Sequence, residues 1–478
     1  MSARPYQQRA IDQIVSTHRQ GGSTLLDMPT GTGKTYTTMR AVRELGVPTC
    51  ALVHTRDLVA NLRDAARGAG LRVGDSKTAS AHADIRIDTV QATWRELEAC
   101  ELLVIDEAHR AAARTYQTRI GQAERALRLL LTATPERNDA ATIAPLVDEH
   151  CKPITVRQAM AAGYLVGEIR YYQGQIPDGL DSVPRSHGEY QRRAQGQVFS
   201  RPQVVGDLVQ TWLDRWRDRQ GVVTCSTVAD AEKTAAALDA AGISAVCLHG
   251  GSEHREDVIG LARAGWIQAL VCADLLIEGV DVPGLSLAVI KRRTTSPRVL
   301  RQFVGRVLRP AGATDAIVYD MADNLVRLSQ QLGVHPIEDE IPFDLDATEG
   351  RRQAPPKAAT SAMGVCESCF AIVPVAPVRP TACPRCGEPW PAPAGRQTRW
   401  VVQGTRVVEI DVTPPDPEPV STPPRRLPRQ ERHEHVATLR RLYAQRRDRA
   451  WVAREYERIR GVSLEAGKAE YERHRAGG

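Results

Sequence analysis

The sequence lacks any long apolar run and contains little lysine. No stretch approaches the roughly 18 apolar residues that a membrane-spanning helix requires. The opening "MSARPYQQRA" also lacks the apolar core of a signal peptide. These absences exclude a membrane protein and predict a cytoplasmic one. Lysine supplies seven of the 63 Lys and Arg residues, so arginine carries most of the positive charge.

The remaining composition is that of a globular protein with an unevenly distributed charge. The 478 residues are 42% apolar and 25% charged, with a net charge of +6. At roughly 100–200 residues per domain, this length predicts two to four domains. The segment from Arg425 to Gly478 holds 15 Lys and Arg against eight Asp and Glu. This basic tail indicates a nucleic-acid or acidic partner, or only a general preference for arginine.

Two regions alternate short apolar runs with helical patterns, which predicts two α/β domains with parallel sheets flanked by helices. The first covers residues 1–150, and the second covers residues 203–345 and has no phosphate loop of its own. A polar connector at 151–202 separates them. The strands predicted in the first region are "TLLDM", "TCALVH", "IRIDTV", "LLVIDE" and "RLLLTAT"; those in the second are "GVVTCS", "ISAVCLHG", "ALVCAD", "LSLAVIK" and "DAIVYDM".

Smaller segments follow the second α/β region. Composition predicts a linker at 346–362, a cysteine-containing module at 363–392, a proline-rich spacer at 411–430 and a helical basic tail at 431–478. The module spaces its cysteines as C-x₂-C-x₁₃-C-x₂-C, and two such pairs complete the tetrahedron of a structural Zn²⁺ site. Its ligands would be Cys366, Cys369, Cys383 and Cys386. The six other cysteines are predicted to be reduced thiols, mostly in the core.

The stretch "DMPTGTGKT", residues 27–35, predicts a phosphate-binding loop between a strand and a helix. Its glycines would let successive backbone N–H groups face phosphate oxygens. Lys34 would reach the β- and γ-phosphates, and the Thr35 hydroxyl would bind Mg²⁺. Met28 replaces the first glycine of the full pattern. The nucleotide-binding residues are predicted to be Pro29, Thr30, Gly31, Thr32, Gly33, Lys34 and Thr35.

Two later stretches supply the remaining groups that ATP hydrolysis needs. "LLVIDEAHR" ends an apolar strand in two carboxylates, so Asp106 would hold Mg²⁺ through water and Glu107 would activate the attacking water. In "QFVGRVLRP", Arg306 and Arg309 are three residues apart and would share one helix face. They would stabilise charge on the γ-phosphate from the second domain, which predicts a nucleotide clamped between the two domains.

The motifs between residues 4 and 325 resemble those of a superfamily-2 helicase and occur in the same order along the chain. "RPYQQ" resembles the adenine-reading motif, with Gln7 as the reader, and "MPTGTGKT", "DEAH", "TATP" and "QFVGRVLRP" resemble motifs I, II, III and VI. "ALVHTRDL", "DTVQA", "VVTCST" and "ADLLIEGVDVPG" resemble motifs Ia, Ib, IV and V, which line the path of a nucleic-acid strand. The resemblance implies two RecA-like domains and ATP-driven movement on nucleic acid. Gly279 and Asp281 would link the strand path to the ATP cleft.

The motif details favour DNA over RNA. Motif VI differs from the "HRIGR" type of the DEAD-box RNA helicases, and the Cys₄ module resembles that of the RadD-like repair helicases. The resemblance therefore implies a DNA helicase or translocase in repair, recombination or replication. Three alternatives remain: an RNA helicase, a motor subunit of a restriction or phage-defence complex, and a non-catalytic nucleic-acid scaffold. The module or the basic tail would also serve a protein partner.

Overall fold

The computed structural model describes residues 2–135, 143–252, 255–273, 282–310, 313–341, 363–375 and 380–389. These residues form two compact units. The first unit contains the described residues up to Leu165, the segment Ser296–Gly305 and residues 331–341. The second contains Val166–Thr295, Arg306–Gln330 and the cysteine module. Gly279, Asp281, both predicted linkers and the basic tail lie outside the described residues.

The first unit is built on a seven-stranded parallel sheet with the strand order β3-β4-β2-β5-β6-β1-β7. The central strands are fully buried, as their continuous apolar sequences predict for a sheet covered on both faces. The strands are β1 Thr24–Asp27, β2 Thr49–Val53, β3 Val73–Gly74, β4 Ile85–Thr89, β5 Leu102–Asp106, β6 Leu127–Thr132 and β7 Glu149–Cys151. The helices are α1 Pro5–Arg19, α2 Lys34–Leu45, α3 Arg56–Gly68, α4 Arg114–Gln122, α5 Val156–Ala161 and, from later in the chain, α10 Pro297–Val304.

The second unit is built on a six-stranded parallel sheet with the strand order β12-β13-β11-β14-β15-β8. Two short antiparallel pairs, β9-β10 and β16-β17, complete its strands in the described residues. The strands are β8 Glu168–Gln173, β9 Arg185–Ser186, β10 Glu189–Tyr190, β11 Gly221–Cys225, β12 Ala245–Leu248, β13 Ala269–Ala273, β14 Leu287–Lys291, β15 Asp315–Asp320, β16 Met363–Val365 and β17 Ile372–Pro374. The helices are α6 Arg192–Phe199, α7 Pro202–Arg215, α8 Val228–Ala240, α9 Arg255–Arg263 and α11 Asn324–Leu332.

Local sequence signals place several helix ends beside the candidate motifs. The Thr55 hydroxyl accepts the N–H of Leu58 and caps α3, and the Thr227 hydroxyl accepts the N–H of Asp230 and caps α8. Gly46, at φ 65°, ends α2. Across the described ranges, no helix is both long and apolar enough to cross a membrane.

The two predicted α/β domains are confirmed, and each predicted apolar run contains a strand. The division of the chain differs from the predicted boundaries, because the segment at 151–202 is not a separate connector. Its first part completes the first unit, and from Val166 it belongs to the second. Strand β8 lies at a sheet edge, where buried and partly exposed residues alternate. Its sequence "EIRYYQ" therefore has no continuous apolar run to mark it.

Candidate functional site

The predicted phosphate loop lies between β1 and α2, at the carboxyl edge of the first sheet. Gly31 and Gly33 both have φ of 88°, which side chains with a Cβ rarely adopt. The Thr32 hydroxyl donates to the carbonyl of Pro29 at 2.7 Å and tightens the loop. Helix α2 follows the loop directly and begins at Lys34. Such a loop can cradle phosphate with its backbone N–H groups.

Two side chains of α1 donate hydrogen bonds to the phosphate loop. The Tyr6 hydroxyl donates to the Thr32 carbonyl at 2.6 Å, and the Gln7 amide donates to the same oxygen at 3.0 Å. A Cβ at Gly33 would lie 2.5 Å from Gln7 Nε2, so this close approach requires glycine. Gln7 is 5% exposed, and its Oε1 accepts the N–H of Arg4. The structure shows Gln7 as a support of the loop, while adenine reading stays a prediction. Tyr6 was not predicted from the sequence.

Strands β5 and β6 bring motifs II and III to the same edge as the loop. β6 pairs with both β1 and β5, so two strand spacings of about 4.8 Å separate the DEAH strand from the loop strand. The Thr132 carbonyl accepts the N–H of Met28 at 3.0 Å and ties motif III to the loop. Asp106 ends β5, is 9% exposed, and accepts the N–H of Glu107 at 3.0 Å. A buried carboxylate therefore lies at the same sheet edge as Lys34 and Thr35.

Neither Lys34 nor Asp106 forms an ion pair with any residue that the structure describes. Both charges are therefore available to a bound ion or ligand. Glu107 follows Asp106 with a φ of 57°, and its Oε2 lies 3.6 Å from Nδ1 of His109. The Glu107 side chain is 13% exposed, so little water competes for its carboxylate.

The sequence predicted that the two arginines of motif VI share one helix face, but in the structure neither of them lies in a helix. Helix α10 ends at Val304, Arg306 lies in the following turn, and Arg309 lies in a bend. Pro310 disfavours a helical conformation for the residue before it. Gly305 lies directly against the phosphate loop in the first unit, because a Cβ there would be 2.6 Å from Thr30 Cβ. Arg306 and Arg309 belong to the second unit, where burial and the charge of Arg263 lower the pKa of Arg309.

A polar groove adjoins motifs Ia and Ib at the ends of β2 and β4. It has a volume of about 440 Å³. Arg56 begins α3 and is exposed, whereas Arg63 is half-buried and donates to the Ile87 carbonyl at 2.8 Å. The groove can thus take up an anionic backbone beside the motif loops. Its lining residues are Arg56, Val59, Ala60, Arg63, Asp75, Ser76, Lys77 and Asp88.

The four clustered cysteines converge on one centre in the second unit. Their sulfur atoms all lie within 4.8 Å of one another. The two C-x₂-C turns match: the N–H of Phe370 donates to the Cys366 carbonyl at 2.8 Å, and that of Gly387 donates to the Cys383 carbonyl at 2.9 Å. Phe370 and Gly387 also share a positive φ, of 61° and 76°. Four thiols in two matching turns fit the donor set of tetrahedral zinc.

The cysteine module packs on the edge of the second sheet. The Phe370 carbonyl accepts the N–H of Gln173 at 2.8 Å, and Ala371 forms an antiparallel bridge with Tyr172. Arg385 pairs with Glu168 at 2.6 Å. Residues of all three contacts come from β8 or its end, so the module covers the free edge of that strand. The six other cysteines carry free thiols, five of them buried and Cys247 half-buried.

Comparisons with known proteins match both units. Residues 1–137 match the family "Type III restriction enzyme, res subunit", and residues 203–311 match "Helicase conserved C-terminal domain". The chain is 28% identical over 330 residues to "Putative DNA 3'-5' helicase Rad25" of Halobacterium salinarum, covering 65% of this chain and 52% of that protein. It is 22% identical over 339 residues to "Putative ATP-dependent helicase IRC3" of Saccharomyces cerevisiae, covering 64% and 49%. The chain thus spans about half the length of these relatives.

A solved structure has the same fold. It is described as a fragment of a putative HsdR subunit of a type I restriction enzyme from Vibrio vulnificus YJ016, with a TM-score of 0.56 and 20% identity. The similarity covers 72% of this chain and 69% of that chain. Two helicase domains in this order, on two parallel α/β units that carry the predicted motifs, identify the chain as a member of the superfamily-2 helicases.

Proposed function

We propose that this chain is an ATP-dependent DNA helicase or translocase. One observation carries the proposal: the loops with motifs I, Ia, Ib, II and III all follow strands of one parallel sheet, at its carboxyl edge. Ligands of open α/β sheets bind at this edge. A nucleotide and a nucleic-acid strand would therefore contact neighbouring loops, which is what coupling of hydrolysis to movement requires.

The nucleotide chemistry is assigned to groups at this edge and in motif VI. The loop N–H groups and Lys34 bind the phosphates, and the Thr35 hydroxyl and Asp106 hold Mg²⁺. Glu107 orients the attacking water and takes its proton. Arg306 and Arg309 stabilise charge that develops on the γ-phosphate. The family membership supports the use of ATP and Mg²⁺. Lys34 and Asp106, which form no ion pair within the described residues, support this division of roles.

The nucleic-acid path is assigned to the groove at motifs Ia and Ib and to the loop after β11. The groove has a small net positive charge, because three basic residues of its lining outnumber two aspartates: Arg56, Arg63 and Lys77 against Asp75 and Asp88. Ser226 and Thr227, of motif IV, follow β11 in the second unit. DNA is favoured because the relative from Halobacterium salinarum is named a DNA helicase and because motif VI departs from the RNA-helicase pattern.

The cysteine module is assigned one structural Zn²⁺ per chain. Zinc would be held by Cys366, Cys369, Cys383 and Cys386, which leaves no open position for catalysis. Bound zinc would hold the two turns together. Because the module contacts β8, it would also stabilise the edge of the second sheet.

ATPase measurements with different nucleic acids test the proposal. Single-stranded DNA should stimulate the rate more strongly than RNA of the same sequence and length, and forked duplexes should be unwound or traversed. Lys34→Ala should abolish the stimulated rate, whereas Lys233→Ala, at an exposed position of α8, should leave it unchanged. Equal stimulation by RNA would contradict the DNA assignment. An ATPase rate that no nucleic acid raises would contradict the whole proposal.

The family match of the first unit also favours a second candidate, the motor subunit of a restriction complex. Such a motor acts together with a nuclease or methylase. Purification of the tagged chain from its native host, followed by mass spectrometry, would separate the two candidates. A stoichiometric nuclease or methylase would establish the second, whereas isolation of the chain alone with DNA-stimulated ATPase activity would support the first.

A further inference from the structure

The chain passes from the second unit to the first between Thr295 and Ser296. The preceding segment, residues 292–295, joins the buried strand β14 to helix α10, which leads to Arg306. We call these four residues the exit segment. It lies in no strand or helix, yet side chains from elsewhere in the second unit satisfy most of its backbone groups. A segment held in this way is fixed relative to the sheet that precedes it.

Gln195 of α6 makes two of these bonds. Its Oε1 accepts the N–H of Arg293 at 2.7 Å, and its Nε2 donates to the carbonyl of Arg293 at 3.1 Å. Both hydrogen bonds are buried, and Gln195 is 1% exposed. A single amide therefore holds the central residue of the exit segment at both of its backbone groups, without competition from water.

Asn324 and Glu189 hold the residues on either side. Asn324 donates to the carbonyl of Arg292 at 2.8 Å and accepts the N–H of Thr294 at 2.9 Å. Glu189 Oε1 accepts the N–H of Thr295 at 2.9 Å and the hydroxyl of Thr294 at 2.9 Å. Hydrogen bonds to a carboxylate are about twice as strong as bonds between neutral groups. Thr295, the last residue of the exit segment, is thus held by the strongest of these hydrogen bonds.

The same helix that holds the exit segment also contacts motif IV. The Ser226 hydroxyl donates to Gln195 Oε1 at 3.3 Å. Gly196 packs so closely on Thr227 that a Cβ would lie 2.6 Å from the Thr227 hydroxyl oxygen. Helix α6 therefore touches both residues of the loop after β11. β11 and β14 are adjacent strands, with Cys225 opposite Lys291, so the two loops leave the sheet side by side.

We propose that Gln195 and Glu189 are positioning residues that couple the motif IV loop to the arginine-bearing segment that follows α10. This inference rests on the proposed function, in which motif IV contacts DNA and Arg306 and Arg309 act on ATP. A displacement of Ser226 on DNA binding would reach Arg293 through one shared amide. Glu189 would hold the end of the exit segment rigid, so that the displacement reaches α10 instead of being absorbed by bending.

The test compares Gln195→Met with Gln197→Met, two replacements of similar size on the same helix. Gln195 is buried in the hydrogen-bond network, whereas Gln197 is exposed. Gln195→Met should lower the stimulation of ATPase activity by single-stranded DNA about tenfold, as expected for a lost coupling of ordinary size. Its basal ATPase rate and its DNA affinity without nucleotide should match those of Gln197→Met and the parent.

A second measurement separates coupling from a merely structural role. Coupling is reciprocal, so a non-hydrolysable ATP analogue should change the DNA affinity of the parent, and this change should nearly vanish in Gln195→Met. Glu189→Gln, which keeps the side-chain size but loses the charge, should also reduce the effect of the analogue on DNA affinity. Thermal unfolding establishes whether each variant folds. If Gln195→Met does not fold, the result for Glu189→Gln decides whether the coupling role is correct.

The outcomes distinguish this inference from the proposed function. If the parent shows no DNA-stimulated ATPase activity, the proposed function is wrong. If the parent is stimulated and the folded variants keep full stimulation and the full effect of the analogue, the coupling role alone is wrong. A folded variant that loses its basal rate together with stimulation would also overturn the coupling role, because the loss would then be structural.

Discussion

Glu107 is the residue whose backbone most clearly departs from ordinary conformations near the phosphate loop. Its φ of 57° is in the left-handed region, which non-glycine residues rarely adopt and which costs about 1–3 kcal/mol. The strand before it is fully buried, and a 3₁₀-helix, Ala108–Ala112, follows it directly, so the surrounding structure holds this conformation. Strained residues of this kind concentrate at active sites, which agrees with the role proposed for its carboxylate.

Glu107→Gln should separate ATP binding from hydrolysis. The amide keeps the shape of the side chain but cannot take a proton, so the turnover rate should fall by about 10²–10⁴-fold. Binding of a fluorescent ATP analogue should remain close to that of the parent. Glu98→Gln, at an exposed position, provides the control. Undiminished turnover in folded Glu107→Gln would rule out its role as the general base.

His335 is a titratable residue that the proposed chemistry does not use. It is 2% exposed, and its Nδ1 accepts the N–H groups of Ile337 and Glu338. Burial, reinforced by the charges of Arg157 and Arg301, lowers the pKa of His335 to about 3 despite the nearby Asp339. The unfolded chain has the ordinary pKa of about 6.5 and binds this proton more readily. The stabilising contribution of the neutral ring is therefore present above pH 6.5 and is lost as the pH falls toward 3.

His335→Asn should make stability less dependent on pH. Asparagine can accept a hydrogen bond near the Nδ1 position but does not titrate. Between pH 6.5 and pH 5 the parent should lose about 1.7 kcal/mol more than the variant, because the excess of protons bound by the unfolded chain rises from about half a proton to nearly one over this range. Denaturant unfolding at several pH values, followed by circular dichroism, measures this difference. Parallel curves for parent and variant would show that His335 is not the group responsible.

At the scale of elements, the cysteine module is part of the second unit rather than an independent attachment. It covers β8, which would otherwise present unpaired backbone groups at the sheet edge. The contacts comprise a backbone hydrogen bond at Gln173, a bridge at Tyr172 and an ion pair at Glu168. The structure of the module should therefore affect the stability of the sheet to which it is bound.

Cys383→Ser should remove zinc and destabilise the second unit. Zinc binding contributes on the order of 10 kcal/mol to the folding of small metal modules, so loss of one ligand should unfold the module. Metal analysis should find one zinc per parent chain and none in the variant. The melting temperature should fall, while ATP-analogue binding by the first unit should persist. Cys247→Ser, outside the cluster, should keep its zinc. A metal-free parent would refute the zinc assignment.

At the scale of the whole molecule, positive charge is concentrated outside the helicase domains. The net charge of +6 arises from the segment Arg425–Gly478, and the remainder of the chain is nearly neutral. Residues 411–424, most of the proline-rich spacer, precede this segment in the sequence. A basic tail joined through such a spacer can contact DNA phosphates beside the motor, provided that its charge serves DNA rather than a protein partner.

Deletion of residues 425–478 should weaken DNA binding without altering the basal ATPase rate. Each lost phosphate contact should reduce the slope of log affinity against log salt concentration by about 0.9 for duplex DNA. Fluorescence anisotropy at several salt concentrations measures this slope. Deletion of residues 411–424, which contain no Lys or Arg, provides the control. An unchanged slope in the tail deletion would assign the tail to a protein partner.

Local sequence was sufficient for the strands and the motif order, because continuous apolar runs and glycine-rich loops are produced by short-range requirements. The run "LLVIDE" predicted both β5 and the carboxylates at its end, and the structure contains a strand there ending at Asp106. The loop glycines were predicted for their backbone freedom, and Gly31 and Gly33 have the positive φ that requires it. The convergence of the four cysteines likewise follows from their spacing.

Only the tertiary structure showed the features that depend on distant partners. Strand β8 alternates partly exposed and buried residues. It pairs with β15 on one side and contacts the cysteine module on the other, and neither neighbour is near it in sequence. Helix α10 groups with the first unit although in the chain it lies between β14 and β15, two strands of the second sheet. Gln195 is a polar residue with no motif around it, and its contacts with Ser226 and Arg293 join positions 31 and 98 residues away. The sequence by itself determined the elements and the chemistry that they carry, because both depend on residues close together in the chain. Folding decided which distant side chains meet, because burial and hydrogen bonding across the sheet have no local signal.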